Sequence, residues 1–298
     1  MTTTSPVVLE RIDHGVIPSN DIGRSFRFWS NFMGGQLGHL TNLNSRGLNR
    51  EVPMILFMTV ANHRGFGIAL QDFRISPKPA RPMEGIVWGF EVAADNLSAV
   101  AQEAEKQNLN PQRITDYPSS SPIRESLFVL DPDGNTVEIC VLKEPSAQPP
   151  QGGPVPLRRI SHVRVEVTDL AVARSWYADT FGLTDGAQVP GDDQLTLTVP
   201  KSGQLVILRK VTKVADRSTQ CYKGPHIDLR ATAESYPEML KRFNRKETYW
   251  GPDPNLIPWH EPDTNTAYGY DPFDNRFQIG IFAQRPMHMG VIKRFQNQ

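Results

Sequence analysis

"RISHVRVEVTDLAVARSWYADTFGL", Arg159–Leu183, repeats "RIDHGVIPSNDIGRSFRFWSNFMGG", Arg11–Gly35, without a gap at an offset of 148 residues. The offset carries Arg11 onto Arg159, His14 onto His162, Asp21 onto Asp169 and Gly34 onto Gly182. Each copy reads as a strand followed by a helix. His162, Arg164 and Glu166 alternate with Val163, Val165 and Val167, so a strand here puts polar side chains on one face and valines on the other. The first helix is expected to begin at Asn20 or Asp21, where a short polar side chain can satisfy orphan amides. An aromatic stripe of Ser25, Phe26, Phe28, Trp29 and Phe32 follows, and glycine stops it.

Further out, a second pair of copies appears. "LDPDGNTVEICVL", Leu130–Leu142, and "YDPFDNRFQIGIF", Tyr270–Phe282, both run from a DPxxN turn into an apolar strand. The first carries Glu138 where the second carries Gln278. Two matched pairs make the chain a duplication. "KEPSAQPPQGGPVP", Lys143–Pro156, suits an exposed linker, which sets expected domains at 1–148 and 149–298. Strand-like runs in "VPMILFMTV", "GFGIALQDF" and "GIVWGFEVA", then a helix in "NLSAVAQEAEKQNL", divide the first half again, and the second half repeats the scheme. The expected fold class is α+β: four βαβββ modules paired into two domains, with mostly antiparallel curved sheets, helices on one side and a concave face left open.

A chain of 298 residues accommodates two such cores. The 32 basic and 32 acidic residues cancel with no long run of either sign, which argues against nucleic acid or an anionic membrane as partner. No apolar run approaches the roughly 18 residues of a membrane span. "MTTTSPVVLERIDHG" lacks the features of a signal peptide, so a cytoplasmic location is expected. Cys140 and Cys221 have no metal-type spacing and read as reduced core thiols.

A strand with His before an Asp-led aromatic helix ending in Gly, and a DPxGN turn into a strand with Glu, together resemble the vicinal oxygen chelate superfamily. Four modules in one chain are most similar to its type I extradiol ring-cleaving dioxygenases. The resemblance implies a divalent metal in a cup formed by paired modules, Fe(II) first and Mn(II) second, with a small aromatic substrate and dioxygen as partners. Carried over, the ligand positions are His162, His226 and Gln278 in the second domain, and His14, Trp88 and Glu138 in the first. Trp88 offers a metal no lone pair, so the first domain is expected to be structural, with His14 a packing histidine and Glu138 polar-network or surface material. Gln278 keeps a carbonyl oxygen but brings no charge to an ion, which weakens the expected hold on iron.

The same family pattern places an acid/base pair at His260 and Tyr268, with Tyr268 ten residues before Gln278 and Asp263 three residues after His260. The further acid/base histidine that the family places before its second ligand is absent before His226. Tyr249, Trp250 and Trp259 could line an aromatic pocket, while His39, His63 and His288 fall in expected loops or the tail. The basic, amphipathic end "QRPMHMGVIKRFQNQ" suits packing on a second subunit, a homo-oligomer. The expected activity is an extradiol-type dioxygenase. Two alternatives stay open: a non-oxidative isomerase or lyase on the same fold, or a catalytically silent protein that binds a small aromatic.

Overall fold

The computed structural model describes residues 7–41, 55–61, 63–70, 83–188, 193–215, 226–243, 245–250 and 266–281. Four βαβββ modules follow one another. The first holds β1 (Leu9–Ser19), α1 (Ile22–Arg27, continued by a π-helical turn, Phe28–Phe32), β2 (Gln36–Thr41), β3 (Ile55–Val60) and β4 (His63–Leu70). The second holds β5 (Val87–Glu91), α2 (Leu97–Lys106), β6 (Gln112–Ile114), β7 (Ile123–Leu130) and β8 (Thr136–Leu142). The third is β9 (Arg159–Val167), α3 (Leu170–Phe181), β10 (Thr184–Asp185), β11 (Gln194–Thr198) and β12 (Leu205–Lys210). The fourth is β13 (His226–Ala231), α4 (Tyr236–Arg242), β14 (Arg245–Trp250), β15 (Thr266–Tyr270) and β16 (Arg276–Gly280).

Local chemistry sets the element ends where the repeat places them. Asp21 Oδ1 accepts from the Arg24 amide at 2.9 Å, and Asp169 Oδ1 from the Ala171 and Val172 amides at 2.8 and 3.0 Å. Both are helix caps. Gly34 and Gly182 close the two helices with φ of +71° and +66°, a region in which a side chain would be strained. In the two DPxxN turns Asp131 and Asp271 do the same work. Each Oδ1 accepts two backbone amides, from Asp133 and Asn135 in one turn and from Phe273 and Asn275 in the other.

The modules pair in an order the sequence halves do not suggest. One eight-stranded sheet runs β14-β15-β16-β13-β1-β4-β3-β2 and joins the fourth module to the first. The other runs β10-β11-β12-β9-β5-β8-β7-β6 and joins the third to the second. The central contacts, β1 with β13 and β5 with β9, are antiparallel. Neither sheet is therefore closed within residues 1–148 or 149–298.

The halves persist instead as packing units. On the faces turned toward the helices, Trp29, Phe66, Trp88 and Phe90 cluster with centroids 4.6–5.9 Å apart. In the other half Trp176, Tyr177 and Phe181 meet Phe277, with Tyr177 and Phe181 at 5.8 and 5.2 Å from it. Burial of each such side chain contributes about 1.5–3 kcal/mol, so both halves are stabilised by their own aromatic groups within one continuous core. Asn135 Nδ2 donates to Pro18 O and Asn275 Nδ2 to Glu166 O, so each DPxxN turn also ties the later module of a half to the earlier one.

Two expectations change here. The segment after Lys143 is not simply an exposed linker: Val155 and Leu157 are buried, and Gln151 bonds Met33 O and the Ala61 amide. His39 and His63 lie on β2 and β4 rather than in loops. No helix among the described residues is long and apolar enough to cross a membrane.

Candidate metal site in the first cup

Opposite its aromatic side, the first sheet presents a polar face across its centre. The register sets it out in detail. On β1 and β13, His14 pairs with Asp228 and Val16 with His226. Asp228 pairs with Gln278 on β16, and Gln278 with Tyr268 on β15. Paired positions share a face, so His14, His226, Asp228, Gln278 and Tyr268 form one patch.

His226 and Gln278 are joined directly, Nε2 to Oε1 at 2.9 Å. The His226 ring meets Tyr268 edge-on at 5.2 Å, and the Arg276 guanidinium lies 4.7 Å above the Tyr268 ring. Beside them, one ligating atom from each of Asp13, His14 and Asp228 falls within 4.8 Å of the other two. Asp13 is already engaged: Arg11 Nε donates to it at 2.7 Å, and His14 Nδ1 lies 3.1 Å away. Asp228 is different. It is 1% exposed, and its Oδ2 accepts no hydrogen bond among the described residues, while His14 Nε2 stands 3.8 Å from it.

A buried carboxylate oxygen without a donor is costly unless a cation or proton satisfies it. Two ligand atoms each about 2.1 Å from a shared ion sit about 3–4 Å apart at bond angles of about 90–140°, which the His14–Asp228 separation matches. The residues present therefore fit a divalent ion held by His14 and Asp228, with Gln278 and His226 alongside. Burial pushes the Asp228 carboxyl up to about 7, only partly offset by His14 and Arg230. Burial also opposes an imidazolium at His14, but Asp228 and Asp13 outweigh it and raise this histidine above its ordinary value.

The expected ligand trio is not assembled. His226 and Gln278 meet on the first sheet, but His162 lies on β9 in the second. The reason is the pairing of the first module with the fourth, which brings His14 to β13 in place of His162. His14, mostly buried and bonded to Asp13, thus faces Asp228 across the strand pair. Tyr268 stands beside Gln278 as expected, whereas His260 and Asp263 lie outside the described residues, as do Cys221, Tyr222, Trp259 and His288.

Asp228 was missed by sequence reasoning. A His-x-Asp on one strand puts both side chains on one face, so "HID" at 226–228 carried the signal. The positions of the second cup also shift by one. Gly89, not Trp88, pairs with His162 and with Glu138. Trp88 points to the opposite side of β5, where a Cβ on Gly15 would lie 1.7 Å from its ring.

In that second cup Glu138 is saturated. It receives Arg164 Nε at 2.6 Å and Nη2 at 3.1 Å, Ser126 Oγ at 2.6 Å, and lies 2.8 Å from His162 Nε2. Burial alone would raise the Glu138 carboxyl, but Arg164 and His162 hold it well below the usual carboxylate range. The polar face of β9 is thus buried, and Glu138 serves the polar network expected of it.

Residues 11–139 match the Glyoxalase/Bleomycin resistance protein/Dioxygenase superfamily. None of the curated proteins compared with this chain matches it. Among solved structures, a candidate dioxygenase from Bacillus subtilis superposes with a TM-score of 0.68 at 14% identity, covering 94% of this chain and 88% of that one. Glyoxalase I from Zea mays gives 0.59 at 13% identity, with 96% and 95% covered. At these identities the likeness concerns the fold. Residues 11–139 thus resemble the Glyoxalase/Bleomycin resistance protein/Dioxygenase superfamily, and the fold of nearly the whole chain is similar to that of these two structures.

Proposed function

We propose that this chain is a metal-dependent enzyme whose active site is the polar cup of the first sheet, and that it cleaves a small catecholic or related aromatic with dioxygen. The observation that carries the reading is the orphaned Asp228 Oδ2 facing His14 Nε2 at 3.8 Å, next to His226, Gln278 and Tyr268. The carboxylate that Gln278 lacks is supplied one strand away. With His14 on the same face, Asp228 gives the cup a histidine and a carboxylate donor for a divalent ion, with Gln278 alongside.

A bound Fe(II) would supply Lewis acidity and a place for vicinal oxygens and dioxygen together. This chain's own residues would do the rest. His14 and Asp228 hold the ion. His226, tied through Nε2 to Gln278 Oε1, would exchange a proton with a substrate hydroxyl at Nδ1. Tyr268, on the same face, would hydrogen-bond developing negative charge, which Arg276 above its ring would favour. His260 would act from the segment that follows β14. The Bacillus subtilis candidate dioxygenase shares this fold, which supports the reading.

Anaerobic loading with Fe(II), followed by oxygen uptake over a panel of catechols, tests the reading. One equivalent of iron, lost in His14→Ala and Asp228→Asn, with oxygen consumed on a catechol, is the expected result. Iron bound without oxygen consumption on any catechol would transfer the site to non-oxidative chemistry. No iron in the parent protein would refute the metal reading.

A further inference from the structure

The register makes the two cups comparable position by position. His14 and Val16 on β1 correspond to His162 and Arg164 on β9 at the repeat offset. Across the central pairing, Asp228 and His226 correspond to Gly89 and Val87. One strand further, Gln278 corresponds to Glu138, and beyond it Tyr268 corresponds to Phe128.

The second cup has therefore kept a histidine and carries a carboxylate, but it has Gly89, Val87 and Phe128 where the first has three polar groups. It has gained one group, the Arg164 guanidinium. That group grips both oxygens of Glu138, at 2.6 and 3.1 Å, while His162 Nε2 approaches the same Oε2 at 2.8 Å. Phe128 lies 5.7 Å from the guanidinium carbon. All three polar residues are at most 2% exposed. Gly89 is what lets the histidine lean in, because a Cβ there would lie 2.1 Å from His162 Cε1.

An ionised carboxylate buried at this depth requires a cation, and a histidine-bound divalent ion and a guanidinium are alternative ways of supplying one. We propose that Arg164 is a resident cation standing in for a divalent metal between His162 and Glu138, which makes the second cup a closed metal site that Arg164 alone keeps empty of ions. Because the guanidinium is part of the chain, it cannot exchange and leaves no open coordination position, so the cup is structural. The proposal does not depend on the activity assigned to the first cup.

The test uses the full chain with the first cup blanked by Asp228→Asn. In that background, Co(II) uptake after removal of metal by chelation should be nil. Adding Arg164→Ala should create one Co(II) equivalent, with a visible absorption band and a rise in thermal midpoint of about 4 °C at a hundredfold excess over Kd. Arg164→His, which puts a neutral nitrogen donor in the same place, should bind Co(II) at least tenfold more tightly than Arg164→Ala. Arg164→Lys keeps a charge and should bind none.

Co(II) bound stoichiometrically at the second cup while Arg164 is intact would overturn the proposal. So would failure of both Arg164→Ala and Arg164→His to take up Co(II), or their failure to fold at any Co(II) concentration. Loss of metal from the parent protein at the first cup would count against the proposed function and leave this result standing.

Discussion

Gln204 offers a sharp test of how the two sheets are held together. Its carboxamide, 3% exposed, sits between β1 and β9. Oε1 accepts the Ile12 amide at 2.9 Å, while Nε2 donates to Ile12 O at 3.0 Å and to Ile160 O at 2.9 Å. The network itself fixes the orientation of the amide, since one neighbour can only donate and two can only accept. Gln204→Ala removes all three bonds and leaves a buried N–H without this partner. An orphaned buried donor costs about 1–3 kcal/mol, and carbonyls with a second lone pair cost less, so the loss should total about 3 kcal/mol. At about 2.1 cal/mol/K per residue, a chain of this length has an unfolding entropy of about 0.6 kcal/mol/K, which converts the loss to about 5 °C. Circular dichroism melts and urea titrations at pH 7 would measure it, with an unchanged urea slope showing that the native state is intact. Gln204→Glu should fall at least as far, because a carboxylate cannot donate to the two carbonyls. A loss below about 1 kcal/mol in Gln204→Ala would refute the clamp, since it is within the range of an ordinary surface change.

Other outcomes follow from the same structure. Glu138→Gln should cost about 3–5 kcal/mol at pH 7, as expected for breaking a buried ion pair. Because the Glu138 carboxyl is held below its ordinary value, its contribution is fully present above about pH 4.5 and fades as pH falls further; the gap between parent and variant in urea should therefore shrink between about pH 4.5 and 3 and not above. Asp169→Ala removes a cap bonded to two amides and should cost about 1 kcal/mol by the same melts. Burial pushes the Cys140 thiol up, with Glu138 adding to the effect, so in a Cys221→Ser background it should ignore an aromatic disulfide reagent until the protein unfolds. Gln278→Glu sets a second carboxylate beside Asp228 and should tighten Fe(II) binding by at least about tenfold; unchanged affinity would show that position 278 lies outside the ion's reach.

Much of this architecture could be read in the residues. The two Asp caps, the helix-ending glycines and the DPxxN turns are local devices, and local chemistry repeats faithfully at a fixed offset. The second strands of modules two and three were harder to see, because "QRI" and "TD" are short, polar and at sheet edges, where burial imposes no alternation. Which modules would pair was not visible at all. Every first strand presents the same kind of partner edge, so the choice between β9 and β1 as the neighbour of β13 is made by packing of the whole chain. The site inherited that ambiguity: Gln278, His226 and Tyr268 were found, while His162 was joined to them and Asp228 was not. A one-residue slip in the β5 alignment likewise exchanged Gly89 for Trp88, because the side chains of adjacent strand residues face opposite ways.

The joining of the first module to the last has a consequence for synthesis. Modules two and three are adjacent in the chain, so the sheet containing Arg164 can close as soon as β12 has emerged. β1 must wait for β13, with Leu9 pairing to Ala231, and until then it presents an unpaired edge. The polar cup of the first sheet is thus the last part of the molecule to exist, and a chain interrupted near residue 148 would expose two strand edges, β1 and β5, at once. Such a fragment has an obvious way to satisfy both, which is to pair with the complementary half supplied as a separate chain.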